Sequence, residues 1–137
     1  MIPRVSDLEW LALTVWLEAR GELWESKLGV AWTIMNRCQD RGKSVPDTVL
    51  QAWQFSGWNT GDPNRLSLDE AQSSMLWYDC YKAACAAYFG LVADPTDGAN
   101  HYMNVPLVMK VAGKLPSWWD ETKVTKKLGR HTFAKLA

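Results

Sequence analysis

The chain has 137 residues, 47% apolar and 22% charged, with a formal net charge of zero. That length predicts one domain, 1–137, with a real core and no room for two typical domains. Balanced charge argues against a general nucleic-acid binder.

The first predicted helix runs from Asp7 to Arg20, with Ser6 and Glu9 at capping-box spacing and Gly21 as its terminator. At about 100° per residue, Leu11 lies within roughly 20° of Glu18 and Val15 within roughly 60°, while Glu9 and Arg20 fall opposite. Glu18 is thus a carboxylate on the face expected to be buried. Burial and the negative end of the helix dipole are expected to raise its pKa. A carboxylic acid still protonated near neutral pH is what a glycosidase uses to protonate a leaving oxygen. The alternative is a structural carboxylate, capped by backbone N–H groups or paired with a distant Lys or Arg. Glu22 follows Gly21 and reads as a solvated loop charge, with a second carboxylate for the site as the competing reading.

A second helix is predicted from Glu25 to Arg41, ending at Gly42, and a short helical turn follows Pro46. The segment Gln54 to Arg65 is rich in breakers and reads as a loop. Ser67 and Glu70 form another capping box, for one long helix running to Phe89 and stopping at Gly90, with Ala71, Met75, Tyr78 and Cys85 as a core-like stripe. A second breaker-rich loop, Asp94 to Asn100, leads into His101-Tyr102-Met103-Asn104. Short extended pieces are expected at Leu107–Val111 and Lys123–Phe133. There are no internal repeats or low-complexity tracts.

Nine tryptophans are far above ordinary for this length. Sugar rings stack their C–H faces on aromatics, so part of this excess fits a carbohydrate groove, beside the plainer role of filling the core. Seven basic residues from Lys110 to Lys135 stand against only Asp120 and Glu121, which reads as a solvated edge, with contact to an anionic surface as the alternative. Cys38, Cys80 and Cys85 sit in apolar helical patterns and read as small core residues of a reducing compartment. Residues 1–7 do not read as a signal peptide, and no apolar run reaches transmembrane length, so no stable membrane insertion is expected.

Other chemistries lack their residues. Two histidines without H-E-x-x-H or paired Cys argue against a metal site, and neither a G-x-S-x-G elbow nor a phosphate loop is present. A helix-borne acid, two polar loops with interleaved aromatics and the tryptophan excess point to glycan cleavage.

The stretches Leu11 to Glu22 and Gly29 to Arg37 resemble the bacterial cell wall hydrolase family of the spore-cortex-lytic enzymes. The resemblance continues through Gln54-Phe55-Ser56, Gly98 to Asn104, Trp118 and Leu128 to Phe133. It implies an α+β, predominantly α, lysozyme-like domain similar to lytic transglycosylases, with short extended segments near the C-terminus. It implies Glu18 as the catalytic acid, the first Glu of E-A-R-G-E. It also implies a groove lined by Gln54, Phe55, Ser56, His101, Tyr102 and Asn104. The implied reaction cleaves peptidoglycan glycan strands between N-acetylmuramic acid and N-acetylglucosamine, without metal or cofactor. Family enzymes of the spore cortex usually carry an export signal and a wall-binding domain. With neither here, the chain resembles a stand-alone phage endolysin, expected as a monomer held in the host bacterial cytoplasm until release to the wall.

Hydrolytic glycosidases usually need two carboxylates. Asp62, Asp94 and Asp97 read as turn formers, which leaves Glu18. A single acid then base, with the sugar's own 6-hydroxyl as acceptor, gives a 1,6-anhydro product. A muramidase using water, and a glycan-binding module without catalysis, stand as alternatives.

Overall fold

The computed structural model describes residues 6–51 and 68–136. Helix α1, Asp7–Ala19, starts on the expected capping box: Ser6 Oγ accepts from the Glu9 amide at 3.2 Å, and the Glu9 side chain returns to the Ser6 backbone. Leu11 through Leu17 are all buried, so the helix is enclosed on every side rather than on one face. It is the central rod of the molecule. The expectation of a single buried face is corrected accordingly, and Glu18 is half-buried because it stands on the last turn, where the rod emerges.

Helix α2, Trp24–Arg41, closes on Gly42 at a φ of +61°, where the glycine amide donates to the Cys38 and Gln39 carbonyls. Helix α3, Val45–Val49, is capped by Ser44 and has Pro46 in its first turn. The long helix expected from Ser67 to Phe89 is two helices, α4 (Leu68–Gln72) and α5 (Trp77–Tyr88). The chain turns at Ser73–Leu76, where Ser74 Oγ takes the Leu76 amide at 3.2 Å. A serine that offers its hydroxyl to a nearby amide competes with helix continuation. Of the expected stripe, Ala71 is buried and Cys85 half-buried, but Met75 and Tyr78 are 97% and 68% exposed. Ser67 itself lies outside the described residues. Helix α5 packs against α1 and α2, and its alanines 83, 84, 86 and 87 let the helices approach closely.

Strand β1, His101–Asn104, passes directly into helix α6, Val105–Ala112, where an extended piece was expected. Three local devices override the β-branched valines. Asn104 Oδ1 accepts from the Leu107 amide at 3.1 Å, Pro106 sits in the first turn, and Gly113 caps the end at a φ of +73°. After a 3₁₀ turn at Glu121–Lys123, the extended region expected at Lys123–Phe133 is two strands, β2 (Val124–Leu128) and β3 (His131–Ala134), paired as a hairpin. The antiparallel sheet has the order β1-β3-β2, and Tyr102 pairs with Phe133 and Asn104 with His131.

Phe133 is fully buried and joins the helical core through α2. At the closest approach stands Gly29. A Cβ there would lie 2.7 Å from the Phe133 ring and 3.1 Å from Thr96, so only glycine lets α2 and the sheet meet. A smaller cluster around Met103, Trp119 and Ala134 covers the far side of the sheet. No helix among the described residues is long and apolar enough to cross a membrane.

Candidate active site

Glu18 stands at the end of the rod, and strand β1 brings Tyr102 to it. Burial first, then the charge of the nearby Glu18 carboxylate, raise the Tyr102 pKa well above its ordinary value of 10.0. The hydroxyl therefore stays protonated at any physiological pH and has a proton to offer. Sheet register holds it there. The Tyr102 ring meets the His131 ring edge-on at 5.2 Å and lies 6.0 Å from that of Phe133.

His131 is buried on β3 and is fixed in turn by Ser26 of α2, whose Oγ lies 2.8 Å from Nδ1. Burial lowers its pKa; Glu22 opposes that shift and Arg130 adds to it. The imidazole is thus a neutral wall behind Tyr102. Arg37, 3% exposed on α2, donates from Nε to the Asn100 carbonyl at 2.8 Å and anchors the start of β1. Its charge is felt by Tyr102, where it opposes the effect of the Glu18 carboxylate.

The remaining candidates separate. Glu22 is no solvated loop charge: its side chain is 11% exposed and its Oε1 meets Arg130 Nε at 3.1 Å, which ties the start of α2 to the β2–β3 turn. Asp94 is a turn former, as its loop context predicts. Burial pushes its pKa up, but bonds from Thr96, Asn36 and the Gly98 amide outweigh that and leave it lowered. Asp97 occupies the left-handed region at a φ of +56°. His101 neighbours Tyr102 on the strand and so points the other way. Its ring lies 5.7 Å from Trp118, and its Nδ1 bonds Asn100 Oδ1 at 2.8 Å. Asn104 spends its oxygen on capping α6. Gln54, Phe55, Ser56 and Asp62 lie outside the described residues. No group of three metal-ligating side chains occurs among the described residues.

The sequence reading missed Arg37, Ser26 and His131. Asn36-Arg37 falls inside the family-like stretch, but its bond to Asn100, 63 positions away, has no local signature. His131 pairs with Ser26 across 105 positions and is equally silent in the sequence.

Fold and site together define a predominantly helical domain that sets a helix-borne carboxylate against a short antiparallel sheet. The chain belongs to the Cell Wall Hydrolase family, whose model matches residues 21–134, and it is therefore an enzyme. The match begins just after Glu18, so the case for that residue rests on geometry and on the E-A-R-G-E resemblance. Two solved structures are similar over almost the whole chain. One is the catalytic domain of the germination-specific lytic transglycosylase SleB from Bacillus anthracis, at 26% identity and a TM-score of 0.65, covering 98% of this chain and 100% of that one. The other is the catalytic domain of the Bacillus cereus SleB protein, at 26% identity and a TM-score of 0.70, covering 98% and 95%. Among curated proteins, no sequence matches.

Proposed function

We propose that the enzyme cleaves peptidoglycan glycan strands between N-acetylmuramic acid and N-acetylglucosamine by the lytic transglycosylase route, with Glu18 as acid and then base. The observation that carries this reading is a single carboxylate, Glu18, at the end of α1 and near enough to the buried, neutral Tyr102 phenol for its charge to be felt there. The nearby carboxylates of the described region are engaged structurally, Glu22 with Arg130 and Asp94 within its own turn. A one-carboxylate site favours an acceptor that the substrate supplies itself.

Glu18 gives its proton to the glycosidic oxygen as the C1–O bond breaks, and the electron pair leaves with that oxygen. The 6-hydroxyl of the muramic acid then adds to C1, and its proton returns to the Glu18 carboxylate. The products are a 1,6-anhydromuramoyl end and a free 4-hydroxyl on the glucosamine, with the enzyme restored. Tyr102 holds the carboxylate and keeps a donor near the reacting centre through both steps.

Mass spectrometry of muropeptides released from purified sacculi tests the route. Anhydro ends, lighter by one water, are expected. Reducing ends would assign water as acceptor and a muramidase mechanism, and absence of soluble products would leave a glycan-binding module. The setting proposed with this reaction, phage-induced host lysis, rests on the sequence expectation and is tested by expressing the chain with and without a holin.

A further inference from the structure

Beside the strand that carries Tyr102 there is a pocket of about 390 Å³, lined among the described residues by Arg37, Asp40, Arg41, Asn100, His101, Lys135 and Leu136. Three permanent cations converge on it against one carboxylate. That carboxylate is already engaged, since Asp40 Oδ2 accepts from Asn100 Nδ2 at 3.0 Å. Arg37 is buried and fixed to the Asn100 carbonyl, whereas Arg41 and Lys135 are exposed, with Arg41 also donating to Gln51 at 3.2 Å. The field inside is positive enough to be felt by the groups that line it. Burial foremost, then Arg37 and Arg41, lower His101 to about 4, so its imidazole is neutral and leaves the pocket's charge to the other three. Burial foremost, and Arg41 after it, bring Arg37 down to about 10, where it remains a cation at neutral pH. Like charges brought together in a concave site cost free energy that an anion entering the site offsets.

We propose that this pocket binds a free carboxylate of the acidic peptide stem that peptidoglycan carries on its muramic acid residues. The inference rests on the proposed glycan-cleaving function and extends it to the substrate's peptide. The placement suits it. Arg37 lines the pocket and its charge reaches Tyr102, so the pocket and the Glu18 site share a wall although His101 and Tyr102 point to opposite faces of β1. Strand β1 is at the edge of the sheet, so a stem advancing at most about 3.3–3.6 Å per residue can round it from a muramic acid held at Glu18. A guanidinium offers a carboxylate two parallel donors, and the ammonium of Lys135 adds a third direction of approach.

The test uses sacculi free of teichoic acid, untreated or with their carboxylates converted to amides, and measures two quantities on each. The first is binding of the Glu18→Gln protein in a pelleting assay, and the second is kcat/KM of the active protein. Untreated wall should bind several-fold more tightly, with the advantage shrinking as salt is added. Arg41→Ala combined with Lys135→Ala should bring the untreated-to-amidated ratio down close to one in both measurements, as loss of contacts to a charged ligand requires. Both side chains are exposed, so the double variant should keep the fold, and an unchanged melting temperature verifies it. Equal binding of the two walls, or a ratio untouched by the double variant, overturns the inference. Turnover of amidated wall reads the parent proposal separately: if neither wall is cleaved, the glycan reaction fails, while the pelleting ratio still decides the pocket.

Discussion

Glu22 and Arg130 join two segments far apart in the chain: the entry to α2 and the β2–β3 turn meet through a 3.1 Å Nε–Oε1 contact. Gly129 makes the turn that presents Arg130, at a φ of +58° that glycine adopts without strain. The pair fixes the hairpin whose other strand carries His131, and His131 backs Tyr102. Glu22 thus belongs to the support of the site.

Glu22→Gln should therefore leave turnover within a few-fold of wild type. Arg130 is 64% exposed, so screening keeps the stability loss below about 1 kcal/mol. Thermal melts and sacculus lysis check both halves, and a large loss of activity with an intact fold would restore Glu22 as a second catalytic carboxylate.

Gly29→Ala should destabilise the protein by about 1–3 kcal/mol, because the added methyl meets the buried Phe133 ring at 2.7 Å and the core must shift. Denaturant unfolding measures it. An unchanged midpoint would mean that α2 and the sheet have slack that the packing does not show.

Acid should weaken the fold in a defined window. His101 and His131 are both depressed below their ordinary value of 6.5, chiefly by burial, and His101 reaches about 4. Between those values the unfolded chain binds more protons, so this contribution is complete above 6.5 and is lost as pH falls toward about 4. Asp94 is also lowered, and its contribution disappears only below the ordinary carboxylate value of 3.8. Melting temperature against pH, for wild type and His101→Gln, tests the assignment. The variant should show a shallower fall across the histidine window, and identical slopes would remove His101 from it.

Much of this architecture was legible because its signals are local. The capping box at Ser6 and Glu9, the glycine end of α2 and the extended character of the stretch near the C-terminus all depend on residues within a few positions of one another. Two elements were misread where short-range devices compete with pattern. Ser74 breaks a run that looks continuously helical, and Asn104 with Pro106 turns a valine-rich piece into α6. At the site, Glu18 and Tyr102 were named from the sequence, but their meeting across 84 positions was implied only by family resemblance. Arg37 and the Ser26–His131 bond belong wholly to tertiary structure.

Tyr102→Phe keeps the ring against His131 and Phe133 and removes only the hydroxyl. Stability should change by less than about 1.5 kcal/mol, the scale of one hydrogen bond. Activity should fall at least about tenfold, which corresponds to 1.4 kcal/mol at the transition state. Wild-type turnover on purified sacculi would reduce Tyr102 to a packing residue.

Catalysis depends most directly on the carboxyl of Glu18, and the deciding measurement is the turnover of Glu18→Gln on purified sacculi, with its fold verified by an unchanged circular dichroism spectrum and cooperative melt. Loss of one group that serves as acid and then base should lower kcat by at least about 10²–10⁴-fold. A folded Glu18→Gln enzyme that retains more than about a tenth of wild-type activity, far short of that range, would contradict it.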